Sequence, residues 1–241
     1  MRIAIISDIH GNLEAFKQVL ADIKKAGVDG VFCLGDNVGY GPEPEAVVQL
    51  LRQEQIPSVM GNHDLALADD AYLTWFNQLA QQSLILTRDC MSTESLEYCK
   101  TLPMNRVVDN CLCVHGCPPD SAMTYIFEPS HYELGLIIES LEQDICFIGH
   151  THLLELYRYD GRKIHQNVLG EEKIRLNHTD RYLINVGSVG QPRDEDRQAK
   201  YVIYNVRERF LEVRFVRYDI AVTANKILEL GWPEYHARRL W

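Results

Sequence analysis

The chain has 241 residues, 46% apolar and 24% charged, a balance that excludes collagen, low-complexity polymers and disordered tails. At about 100–200 residues per domain this allows one large domain or two small ones. The formal charge of −10 argues against binding of long duplex nucleic acid, which needs clustered Lys and Arg. No apolar run approaches the ~18 residues of a membrane span. The opening MRIAIISDIHGN has too short an apolar stretch for a signal peptide. The seven cysteines, odd in number and without zinc-ribbon spacing, read as reduced thiols, so a cytoplasmic protein with no membrane partner is expected.

Residues 2–7 are a β-rich run that predicts a buried strand. Leu13, Phe16, Leu20 and Ile23 repeat at helical spacing over 13–26, with Gly27 as a stop. Val31–Leu34 predicts a second strand, closed by Gly35-Asp36, and the loop with Pro42 and Pro44 enters a helix. Val59-Met60 reads as a third strand before Gly61-Asn62-His63-Asp64. Residues 65–100 lack strand signals and predict an insertion of two or three helices, with Leu65, Leu67, Tyr72, Trp75, Phe76 and Leu79 extending the core. Arg106–Val114 predicts a hairpin or two short strands, His131–Glu142 a helix, and Ile145–Ile148 a strand ending at Gly149-His150-Thr151-His152. Leu154–Val216 alternates in strand fashion, and Ala221–Leu240 is helical with a break at Gly231 and Pro233. The pattern predicts an α/β fold as a single domain, with active residues at the C-terminal ends of strands.

The strand tips carry the chemistry. Asp8 and His10 follow the first strand, Asp36 the second, Asn62 and His63 the third, and His115, His150 and His152 later ones. One such tip is weak evidence, but five in order would converge on one sheet edge. Imidazoles and carboxylates together suit Mn, Fe, Zn, Ni or Co, and one carboxylate can bridge two cations about 3.5–4 Å apart. That is the chemistry of phosphoryl oxygens and activated water.

These residues resemble the calcineurin-like metallophosphoesterase superfamily, through Asp8-Ile9-His10, Gly35-Asp36, Gly61-Asn62-His63-Asp64, Val114-His115-Gly116 and Gly149-His150-Thr151-His152. Ser7–Asn12, Gly39-Tyr40-Gly41-Pro42 and Gly187–Arg193 point to its compact bacterial and archaeal phosphodiesterase branch. The resemblance implies a two-sheet β-sandwich flanked by helices and two divalent or transition metal ions. It implies that Asp8, His10 and His152 hold the first ion and Asn62, His115 and His150 the second, with Asp36 bridging. It places His63 outside the metal shell, as general acid or transition-state stabiliser.

Other residues have two readings each. Asp64 either orients His63 or caps a helix. Asn12 touches a bound phosphate or caps the first helix. Arg193 clamps the substrate phosphate, or pairs with Asp194 or Glu195 at the surface. Tyr40 stacks on a base or anchors its loop. The expected reaction is hydrolysis of a small organic phosphate or nucleotide diester, with monoester hydrolysis, including protein phosphatase activity, as the alternative. A non-catalytic scaffold of the same fold would show eroded ligands, and none is missing here. Oligomeric state is left open.

Overall fold

In the computed structural model, which describes residues 1–241, Arg2–Ile6 forms β1 and sends alternate side chains to opposite faces. Ile3 and Ile5 enter the core between two sheets, while Ala4 and Ile6 pack outward beneath helices. Helix α1 (Leu13–Ala26) covers that outer face with Phe16, Val19 and Ile23, and Gly27 ends it in the left-handed conformation. β2 (Gly30–Cys33) runs parallel to β1, and α2 (Pro44–Gln53) places Val47 and Leu51 beside α1.

The insertion begins earlier than expected. Helix α3 spans Asn62–Ala68, so Asn62 and His63 lie in its first turn. A 3-10 helix at Asp70–Trp75, α4 (Gln78–Asp89) and α5 (Thr93–Lys100) follow. Leu67 and Leu84 are buried and Tyr72 and Phe76 partly so, but Trp75 and Leu79 are 74% and 41% exposed and do not extend the core. The expected third strand at Val59-Met60 is reduced to a single bridge between Cys33 and Ser58. The Met60 N–H turns away and donates to the Pro103 carbonyl at 2.8 Å.

β3 (Asn105–Val108) and β4 (Cys111–Val114) form a hairpin whose turn residues, Asp109 and Asn110, both have positive φ. Helix α6 (His131–Ser140) then leads to β5 (Ile145–Ile148), β6 (Leu154–Tyr159), β7 (Ile164–Val168), β8 (Lys173–Arg175), β9 (Arg181–Val186), β10 (Ala199–Asn205) and β11 (Phe210–Val216). The strands build two mixed sheets, ordered β2-β1-β10-β11-β8 and β3-β4-β5-β9-β6-β7. Between them Phe147 and Tyr204 meet edge to face, ring centroids 5.6 Å apart. The second sheet turns Cys146 and Ile148 toward α6.

The chain ends in α7 (Ile220–Glu229) and α8 (Glu234–Arg238), split at Gly231. Lys226 of α7 bridges Glu14 at 2.9 Å and Glu43 at 2.8 Å, tying this hairpin beside α1. All seven cysteines are free thiols, and no helix is long and apolar enough to cross a membrane.

Candidate metal centre

The loops that leave β1 and β2 run side by side, with Asp8 N–H donating to Gly35 O at 3.0 Å and His10 N–H to Asp36 O at 2.9 Å. Loops from the second sheet meet them. His150 N–H donates to Asp8 Oδ2 at 3.2 Å, and His115 Nδ1 to the Leu34 carbonyl at 2.8 Å. The site therefore lies across the seam of the sandwich. Asp8, His10, Asp36, His150 and His152 all hold φ between 48° and 69°. This left-handed region is uncommon outside glycine but tolerated best by Asp, Asn and His. It turns each side chain sharply inward.

The seven expected ligands come together and are all buried. Asp8, His10, Asp36 and His152 offer one set of ligand atoms within 4.8 Å of one another, and Asp36, His115 and His150 offer a second that shares Asp36. His10 Nδ1 faces the Val38 carbonyl at 3.0 Å and His152 Nδ1 the Gln191 carbonyl at 2.6 Å. A carbonyl only accepts, so both rings carry their proton on Nδ1. Burial drives His10 down to about 4 and His152 well below the usual imidazole range, so both rings are neutral. Their bare Nε2 lone pairs then confront each other at 3.0 Å, with the unpartnered Asp8 Oδ1 3.3 Å from His152. Two bare imidazole nitrogens and a carboxylate oxygen converging in this way are the donor set of a cation site.

The second set repeats this logic. His150 Nε2 donates to the Met123 carbonyl at 3.1 Å, leaving Nδ1 bare 3.2 Å from His115 Nε2. The Asn62 oxygen points at the same acceptors, 3.1 Å from His115 Nε2. An amide oxygen belongs there when a cation is present. Without one, the amide turned over would donate to Asp36 at 3.0 Å. Burial opposes charge on both His115 and Asp36, but the Asp36 carboxylate pushes His115 up to about 9, and the charge on His115 holds Asp36 well below the carboxylate range. Burial and the charge of Asp36 raise Asp8 to about 7. A proton on His115 thus occupies the place of a cation, and metal binding would release it.

His63 belongs to neither ligand set. Its ring is buried 4.7 Å from His10, 4.4 Å from Tyr40 and 4.9 Å from Phe76, and its Nδ1 has no partner. Its backbone N–H donates to Asp36 Oδ1 at 2.8 Å. A Cβ on Gly39, where φ is 85°, would fall 2.2 Å from His63 Nδ1, so only glycine leaves room for this ring.

Two expected contacts are not made. Asp64 does not touch the His63 ring. Its carboxylate accepts from Gly61 N–H at 3.0 Å, capping α3, and from Asn37 Nδ2 at 3.1 Å, so its role is to fix the loop after β2. Asn12 likewise caps its helix, accepting from Ala15 N–H at 3.1 Å and Thr223 Oγ1 at 3.0 Å. One N–H of its amide donates to Gly190 O at 2.9 Å. Arg193 pairs with neither Asp194 nor Glu195, because Asp194 is held by Lys200 at 2.8 Å. Instead its charge reaches Asp8, His10 and His152.

Residues outside the strand tips complete the walls. Tyr125 stacks on His150 with centroids 3.8 Å apart and planes at 16°. Tyr125 and Tyr40 separate a cavity of ≈ 310 Å³, walled by Trp75, Phe76 and Glu128, from one of ≈ 410 Å³, walled by Gln191, Arg193 and Arg239. The loop holding Tyr125 has no periodicity to read, and the contribution of the C-terminal helices exists only in three dimensions.

A two-sheet α/β sandwich with a buried Asp/His cluster across its seam defines a metal-binding scaffold. The chain belongs to the calcineurin-like phosphoesterase superfamily, whose domain it matches over residues 1–209. An uncharacterized protein of Methanocaldococcus jannaschii is 35% identical over 99% of this chain and 97% of its own length. The crystal structure of a metallophosphoesterase from Sphaerobacter thermophilus superposes with a TM-score of 0.86 at 35% identity, covering 100% of this chain and 98% of the other. A hypothetical protein of Pyrococcus horikoshii OT3 shares the fold, with a TM-score of 0.81 at 18% identity over 100% of this chain and 97% of its own.

Proposed function

We propose that this protein hydrolyses small organic or nucleotide phosphodiesters at a dinuclear metal centre. The observation that carries the reading is the pair of buried ligand clusters that share Asp36. Asp8, His10, Asp36 and His152 would hold one ion, and Asp36, Asn62, His115 and His150 the other. Divalent ions held there supply charge to phosphoryl oxygens and lower the pKa of water. Arg193 orients the phosphoryl group with its planar fork. His63, kept neutral by burial, presents an N–H beside the leaving oxygen and stabilises the charge that develops on it. Cavities of ≈ 310 and ≈ 410 Å³ suit compact substrates, and the charge of −10 repels a long polyanion.

The test is hydrolysis of bis(4-nitrophenyl) phosphate, 4-nitrophenyl phosphate and duplex DNA by protein loaded with Mn, Fe, Zn, Ni or Co. The expected result is turnover of the diester, abolished by chelation, with little cleavage of DNA at physiological salt. Rapid degradation of duplex DNA with the small diester untouched would overturn it. So would full metal occupancy without hydrolysis of any ester.

A further inference from the structure

Residues 210–241 lie beyond the part of the chain that matches the superfamily, yet they bring a cation to the cleft. Arg239, which directly follows α8, lines the ≈ 410 Å³ cavity with Arg193, Tyr40, Tyr125 and Gln191. Both guanidiniums are half-buried, in a chain whose acidic residues outnumber its basic ones by 34 to 24. Neither forms an ion pair with a carboxylate. Arg239 donates to the Tyr235 hydroxyl and lies 5.6 Å from that ring's centroid, and Arg193 Nε is buried without a partner. Leaving a guanidinium partly desolvated without a counter-charge is costly, and an anionic ligand would remove that cost.

The two arginines sit at different depths. The charge of Arg193 reaches the metal-ligand residues Asp8, His10 and His152. Both charges reach Tyr40, and that of Arg239 reaches His236, on the far side of Tyr40 from His10. Tyr40 stands between, its ring 4.6 Å from His10 on one side and 4.9 Å from His236 on the other. A phosphoryl group at the metal ligands would meet Arg193, and a second anion on the same molecule would meet Arg239, with its organic part along Tyr40 and Tyr125.

We propose that Arg239 forms a second anion subsite that selects phosphoesters carrying another phosphate beyond the scissile one. This rests on the phosphoesterase reading and narrows its substrate class.

The experiment compares thymidine 5′-(4-nitrophenyl phosphate) with its 3′-phosphorylated derivative on Mn-loaded protein. The wild type should favour the 3′-phosphorylated ester in kcat/KM, mainly through KM. Arg239→Ala should reduce that preference by about tenfold to a hundredfold. Arg239→Lys should retain part of the preference, and Arg162→Ala, an exposed arginine away from the cleft, should retain all of it. Equilibrium titration with thymidine 3′,5′-bisphosphate and thymidine 5′-monophosphate gives a readout that needs no turnover, and thermal melting confirms that the variants are folded. No preference in the wild type, or the same preference in Arg239→Ala, overturns the subsite. If no ester is cleaved, the phosphoesterase reading fails. The titration then decides the subsite by itself, because equal affinity for the two nucleotides would eliminate it.

Discussion

Lys200, fully buried in β10, reaches the Asp194 carboxylate with its ammonium at 2.8 Å. It also donates to the carbonyls of Asp196 and Gln198, so one side chain ties down the loop that follows Arg193. Removing the anion leaves a buried cation short of one partner, whereas replacing the cation with an apolar side chain of similar length removes the buried charge altogether. Asp194→Ala should therefore cost about 2–3 kcal/mol and Lys200→Met less, as read from urea unfolding midpoints. Equal losses in the two variants would contradict this.

Metal content should separate the shared ligand from an unshared one. Asp36→Asn should lower occupancy at both positions, because Asp36 belongs to both ligand sets, while His10→Ala should lower mainly one. Metal analysis of the purified variants reads the difference directly. The same stoichiometry in both would remove the bridging role from Asp36.

His63→Gln should keep the metals and lower kcat by about 10²–10⁴-fold, the usual size of a proton-transfer contribution. The loss should shrink for esters with very acidic leaving groups. Gly39→Ala should lower kcat in the same direction without touching a ligand, since its new Cβ would displace the imidazole. A Gly39→Ala enzyme with wild-type kcat would show that the position of His63 is unimportant.

Asp22 gives a pH dependence remote from the cleft. Arg214 grips it at 2.9 and 3.1 Å and the Tyr201 hydroxyl donates to it at 2.8 Å. Burial raises its pKa, but these contacts outweigh burial and lower it below the ordinary 3.8. A carboxyl depressed in the folded state stabilises fully above its unfolded pKa, and that stability is lost as pH falls through the folded value. Metal-free Asp22→Asn should be less stable than wild type at pH 7 by on the order of 1 kcal/mol. The gap should close below pH ~4. A gap that widens in acid would reverse the sign.

The ligand set was readable because each member closes a short apolar run, and a strand end is where side chains of different types can converge. Their left-handed backbone was hidden, since positive φ is usually read from glycine and here falls on Asp and His. Asp64 stayed ambiguous because a capping carboxylate and an imidazole-orienting one are the same residue type in sequence. Val59-Met60 reads as a strand by composition, but the one bridge there is made by the preceding Ser58, to Cys33. Trp75 and Leu79 share the helical spacing of core residues, but the end of the insertion that carries them faces the cleft.

Because the ligands come from both sheets, their spacing depends on the alignment of one sheet upon the other. His115 holds the Leu34 carbonyl and His150 the Asp8 carboxylate across the seam, so sliding of the sheets would pull the two ligand sets apart. The metal association constant is then a gauge of sheet registration, sensitive to residues that never approach an ion. Tyr204→Ala, in the layer between the sheets, should weaken metal binding. Ile138→Ala, on the buried side of α6 against an outer sheet face, should leave affinity intact at a comparable loss of stability. Calorimetric titration of the two variants with Mn would reveal the contrast, and equal affinities would mean that the seam yields without disturbing the ligands.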